Sequence, residues 1–121
     1  NDVKLLCDVR KNPLSRKFGF SKGRLSHITQ TIGIEYFHIP DLGIESEKRS
    51  SLVTLDDYKS LFDDYEKTLP TRKVFLEEVY SLLQNNTRIA LMCYELMPEM
   101  CHRHVIRDYL TETYRVRSID L

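Results

Sequence analysis

The chain has 121 residues, 41% hydrophobic and 30% charged, with no net charge. That is the profile of one ordinary globular domain large enough to bury its own core. No apolar run approaches the ~20 residues of a membrane span. Residues 1–4 lead straight towards a strand rather than a signal peptide. Three cysteines at irregular spacing argue against a disulfide framework and for a reducing, cytoplasmic setting. A neutral chain sets up no global field towards nucleic acid, but its charge is uneven. Between Val9 and Ile34 there is no acidic residue, while Arg10, Lys11, Arg16, Lys17, Lys22 and Arg24 are all basic.

Residues 4–9 (KLLCDV) are a short apolar run with Asp8 near its end, which predicts a buried strand. The segment 10–23 holds Asn12-Pro13, Ser15, Gly19 and Gly23 and reads as a loop. Leu25, Ile28 and Ile32 recur at helical spacing, and Gly33 fits the position just past a helix end, so a helix is expected over about 22–32. Residues 34–39 (IEYFHI) predict a second strand ending at Pro40, and 41–51 a polar loop. Thr54 with Asp57 forms a capping-box signature for a helix whose inward stripe is Leu55, Tyr58, Leu61, Phe62 and Tyr65. Leu69-Pro70 breaks it, and a further helix is expected over 71–84. Residues 88–94 are apolar throughout, as in the middle strand of a parallel sheet. A helix from Cys101 follows, with Val105, Ile106, Tyr109 and Leu110 inward. The alternation of 114–121 predicts a last strand. This order implies an α/β domain with a mostly parallel sheet.

In open parallel sheets ligands sit beyond the carboxyl ends of the strands. Those ends carry Asp8 and Arg10, then His38 and Asp41, then Cys93 and Glu95. The helix beginning near Cys101 adds the positive end of its dipole at the same edge. A thiol at Cys101 beside Arg103, His102 and His104 would have a lowered pKa. Cys93 and Cys101 are thus either reactive thiols or small buried hydrophobes. Glu95 suits general acid/base work or an ion pair with Arg103 or Arg10. His102 is either a base or a passive half-exposed histidine, and His27 and His104 read as surface residues. Asp8 can orient Arg10 for bidentate recognition of phosphate or carboxylate. Metal binding by Cys93, Cys101, His102 and His104 lacks the paired C-x-x-C knuckle of structural zinc sites, so no metal is expected. The loop 10–24 interleaves Arg16, Lys17, Lys22 and Arg24 with Phe18 and Phe20, a pattern for phosphate contacts with base stacking. It reads equally as a solvated loop with at least one ring closing the core.

The blocks LLCDVRKNPLSRKFGFSKGRL, GIEYFHIPDLG and IALMCYELMPEMCHRHVI closely resemble the uncharacterised bacterial and archaeal family called domain of unknown function 488, in its order and spacing. The resemblance implies a compact Rossmann-like α/β domain with no assigned reaction. Its motif positions fall on Asp8, Arg10, Pro13, Ser15, Arg16, Phe18, Tyr36, Leu42, Gly43, Cys93, Glu95, Cys101, His102 and Arg103. The family's usual first strand and helix, with a Thr-Ile-Gly-His-Ser-like stretch, do not precede the DVR block here. That would leave an open sheet edge for a partner or a homodimer. A fainter likeness to rhodanese-type domains lacks their cysteine loop after Cys93 and is analogy only.

The expected fold is therefore a small three-layer Rossmann-like α/β domain, 1–121, with a mostly parallel four-stranded sheet. The expected ligand is anionic: phosphate-bearing, a nucleotide or nucleic acid. Asp8, Arg10, Ser15, Arg16, Tyr36, Cys101 and Arg103 would bind it, and Glu95, Cys93 and His102 would supply any catalysis, without a cofactor. The alternatives are a non-enzymatic module that docks nucleic acid or protein through loop 10–24, and thiol or sulfur chemistry at Cys93 and Cys101.

Overall fold

The computed structural model describes residues 2–15, 17–95 and 97–121, Pro98 by its backbone alone. Among these residues the sheet has three parallel strands, β1 (Leu5–Asp8), β2 (Glu35–His38) and β3 (Ile89–Met92), in the order β2-β1-β3. Five helices accompany them: α1 (Lys22–Thr31), a single turn α2 (Ser46–Arg49), α3 (Leu55–Lys67), α4 (Lys73–Asn86) and α5 (Arg103–Tyr114).

Three features differ from expectation. The middle strand is β1, whose Leu5, Cys7 and Asp8 are buried, whereas the half-buried β3 pairs with β1 along one side only. An apolar run by itself does not separate a central strand from an edge strand. The fourth strand expected over 114–121 does not form. Arg115 takes a left-handed conformation (φ 56°) that closes α5, its N–H donating to the Thr111 carbonyl. Beyond it residues 117–121 are exposed, and Asp120 accepts from Arg107 Nη1 at 2.7 Å. The polar stretch 41–51 is also more ordered than a plain loop, with a 3-10 turn at Pro40–Leu42 followed by α2.

The remaining elements form for reasons visible in the residues, except that Leu55, expected on the inward stripe of α3, is exposed at its first turn. Thr54 Oγ1 accepts the Asp57 N–H while Asp57 accepts the N–H groups of Val53 and Thr54, so the capping box at α3 is complete. Gly33 (φ 76°) closes α1 in a conformation only glycine adopts without strain. The core lies on one side of β1: Leu5, Cys7 and Val9 meet Leu76, Val79 and Ile106, all buried. At the carboxyl end of the sheet Gly43 passes so near the loop after β1 that a Cβ would fall 2.1 Å from the Lys11 nitrogen. Only glycine fits this crossing, which draws the segment leading to α2 over the strand ends.

Candidate functional site

The carboxyl edge of the sheet holds two polar clusters. In the first, Asp8 and Arg10 form a fork pair: Nε donates to Oδ1 at 2.8 Å and Nη2 to Oδ2 at 2.7 Å, with side chains 0% and 1% exposed. The third guanidinium nitrogen, Nη1, donates to the Phe20 carbonyl at 2.6 Å. Tyr36 donates its hydroxyl to Asp8 Oδ2. Burial pushes the Asp8 carboxyl up, but the hydrogen bonds from Arg10 and Tyr36 outweigh it and hold it below its ordinary value. The same environment pushes Tyr36 upward, burial first and then Asp8. His38 reaches the Arg10 carbonyl at 2.7 Å. Asp8, Arg10 and Tyr36 are thus brought together, but every guanidinium nitrogen of Arg10 meets the protein itself.

The second cluster joins the segment after β3 to the start of α5. Cys93, Cys101 and His102 are buried at 7%, 2% and 3% exposure. His102 Nε2 lies 2.9 Å from the Val9 carbonyl, and a carbonyl only accepts, so Nε2 carries the proton. That fixes Nδ1 as the basic nitrogen, facing Cys93 Sγ at 3.4 Å and Cys101 Sγ at 3.9 Å. The Arg103 N–H donates to Cys101 Sγ at 3.5 Å. Cys93 is held below the usual thiol range chiefly by a hydrogen bond from the Cys101 thiol. Burial opposes this, and His102 and the Tyr94 N–H reinforce it. Burial pushes Cys101 the other way, with the charge on Cys93 adding to it. Two thiols in one dry site share their protons unequally, and the sulfur nearer the imidazole is the acidic one. By contrast burial, with the Asp8 and Glu78 charges adding to it, pushes Cys7, inside β1, up to about 12, which marks it as a packing residue.

A cavity of about 270 Å³ opens beside this second cluster, bordered by Cys93, Cys101 and His102 together with Arg49, Ser50 and Glu95. Arg49, contributed by α2, lies over the Tyr94 ring at 4.4 Å. Arg10 lies over the same ring at 5.4 Å. Arg49 Nε is buried with no hydrogen-bond partner among the described residues. Arg103 Nη1 donates to the Glu95 backbone carbonyl at 2.7 Å, not to its carboxylate, so the expected ion pair of the two side chains does not form, and Glu95 borders the cavity. Tyr65 packs edge-on against the His102 ring at 5.2 Å and donates its hydroxyl to the Leu42 carbonyl at 2.5 Å.

Of the other candidates, Ser15 serves its own loop, accepting from the Lys17 N–H and exchanging hydrogen bonds with Ser21. Arg16 lies outside the described residues. His104, expected at the surface, is half-buried edge-on against Phe62, its Nδ1 2.5 Å from the Cys101 carbonyl. Neither phenylalanine of the basic loop enters the core: Phe18 is 78% exposed under Arg24 and Phe20 is 38% exposed under Lys17. The residue that reading the sequence missed is Arg49. Nothing in the polar run Glu45–Arg49 distinguishes it from a solvated charge.

The fold is an α/β domain with a parallel sheet and its polar side chains gathered at the carboxyl edge. The sequence matches the family described as "Domain of unknown function DUF488" over residues 1–110, and the chain belongs to that family. No curated protein and no solved structure matches it. Among the described residues no helix is long and apolar enough to cross a membrane.

Proposed function

We propose that the chain is a small enzyme acting on an anionic ligand in the cavity between α2 and the start of α5, with Cys93 as its reactive sulfur. The observation that carries this reading is the locked imidazole. The Val9 carbonyl holds His102 so that its basic nitrogen faces the Cys93 thiol, the arrangement of a base positioned by a third group to activate a nucleophile. Arg49, stacked on Tyr94 with a buried, unmatched Nε, is the group assigned to the ligand's negative charge. Its planar fork suits a phosphate or a carboxylate. Glu95 on the same wall is assigned the transfer of a proton to or from the ligand. Asp8, Arg10 and Tyr36 then act as support beneath the cavity, since Arg10 shares the Tyr94 ring with Arg49.

Alkylation of the metal-free protein by a charged and a neutral reagent tests the assignment. Iodoacetate carries a carboxylate and iodoacetamide does not. Relative to a free thiol, Cys93 is expected to favour iodoacetate by about tenfold, the equivalent of ~1.4 kcal/mol. Arg49→Gln is expected to remove that preference while leaving iodoacetamide's rate nearly unchanged. Equal rates for the two reagents, or first labelling at Cys101, would overturn the reading.

The exposed rings of Phe18 and Phe20 among Lys17, Lys22 and Arg24 favour a second reading. It is a loop that contacts single-stranded nucleic acid by stacking and phosphate pairing. Binding of a short single-stranded oligonucleotide should then weaken steeply with rising salt, and Phe18→Ala should weaken it further. Binding indifferent to both would remove this reading.

A further inference from the structure

We infer that Cys93, Cys101 and His102 form a three-ligand site for one borderline-soft divalent ion of the zinc class, with its fourth position open to the cavity. The inference shares the cavity and the His102 geometry with the reading above, and adds to them the Cys101 sulfur and the closeness of all three ligand atoms. Cys93 Sγ, Cys101 Sγ and a His102 ring nitrogen all lie within 4.8 Å of one another, and all three residues are buried. Metal–sulfur bonds of ~2.3 Å and metal–nitrogen bonds of ~2.0–2.1 Å at tetrahedral angles require sulfur–nitrogen separations of about 3.6 Å. The two separations here, 3.4 Å and 3.9 Å, fall on either side of that value. Both sulfur–nitrogen separations therefore suit an ion already, and the two sulfurs, which lie within 4.8 Å of each other, would draw towards about 3.8 Å around it.

The surroundings match as closely as the distances. A metal-bound imidazole characteristically donates its other N–H to a carbonyl or carboxylate, and His102 Nε2 already does so to Val9. Thiolate ligands accept backbone N–H groups, and Cys101 Sγ accepts that of Arg103 at 3.5 Å. Two thiolates and a neutral imidazole around a divalent ion sum to no net charge, which suits a site this deeply buried. His104 stands outside the set because its Nδ1 is turned to the Cys101 carbonyl. Sequence spacing pointed away from a metal because the paired knuckle of a closed four-ligand zinc site is missing. Three ligands with an open position are instead the pattern of catalytic zinc. Arg49 and Glu95 border that open side, where an anionic ligand would take the fourth position.

Cobalt is the probe. The full chain is stripped with a chelator and titrated with Co²⁺ under reducing conditions. The expected result is one ion per chain, a thiolate-to-cobalt charge-transfer band in the near ultraviolet and the strong visible bands of a tetrahedral site, all displaced by one equivalent of zinc. Cys93→Ser and Cys101→Ser, each nearly isosteric, should weaken binding at least about a hundredfold, ~2.7 kcal/mol. His104→Ala should leave the spectrum unchanged. A weak octahedral spectrum, no binding, or a full signal retained in Cys93→Ser would overturn the inference. Zinc should also protect Cys93 from iodoacetamide. Failure to bind cobalt leaves the iodoacetate preference intact as a test of the thiol reading. Loss of that preference with cobalt still bound would sink the anion assignment and spare the metal site.

Discussion

The two polar clusters at the carboxyl edge of the sheet lie one strand apart and share the Tyr94 ring through Arg10 and Arg49, yet they are built in opposite ways. Around Asp8 the charges are mutually matched: fork pair, tyrosine hydroxyl and carbonyl are all supplied by the protein itself. Around Cys93 the groups converge on a cavity, and Arg49 keeps a buried nitrogen with no partner among the described residues. A saturated cluster holds the fold together, whereas one with open valences is equipped to receive something. The difference explains why two sets of residues with the same chemical promise in the sequence carry different assignments here.

The sharpest way to break the comparison is to remove Asp8. Asp8→Ala leaves the Arg10 guanidinium buried and unpaired, and should cost about 3–5 kcal/mol of stability in urea unfolding. A loss below ~1 kcal/mol would show that the first cluster is not structural. Tyr65→Phe is the next largest. It strands the buried Leu42 carbonyl and should cost ~1–2 kcal/mol, with the His102 ring losing none of its hydrogen bonds.

Acid sharpens the same contrast. The folded Asp8 carboxyl is held below its ordinary value of 3.8, so its contribution is fully present above about pH 4 and fades as pH falls through the folded value. Urea midpoints measured from about pH 7 down to about pH 3 should drop at the acid end. In Asp8→Asn the part of that drop due to this carboxyl should disappear, and an unchanged profile would count against the pairing. The smallest effect is expected at the second cluster. Cys93→Ser should change stability by less than about 1 kcal/mol while abolishing first labelling by iodoacetamide. A large loss of stability there would make Cys93 a packing residue like Cys7.

Much of this edge was legible because side-chain type and strand end coincide. Asp8, Cys93, Glu95, Cys101 and His102 are polar or reactive residues placed where apolar runs stop or helices start, and the parallel topology does the rest. What could not be read is what lies between residues far apart in sequence. The partner that fixes the His102 tautomer is a backbone carbonyl, Val9, and backbone groups leave no mark in a sequence. Arg10 looked available for a ligand because nothing in the residues tells that Phe20 turns its carbonyl towards it. Arg49 was hidden in a polar stretch that folds into a single turn. The last strand was misread because alternation at 114–121 registers equally well where Tyr114 ends α5 and Val116 and Asp120 anchor an otherwise exposed tail.

One consequence follows from the place of β3 at the margin of the sheet. Cys93 hangs from that margin through a single ladder, closed by the Val9 N–H to the Met92 carbonyl at 3.0 Å, while His102 is moored to the central strand. Margins fray before centres do. A transient unzipping of that outermost strand would carry the sulfur away from the imidazole and leave the imidazole at its mooring. The pairing of thiol and base would then last only as long as the last few amide bonds of the ladder, and slow amide exchange at Val9, whose N–H closes it, would be its clock.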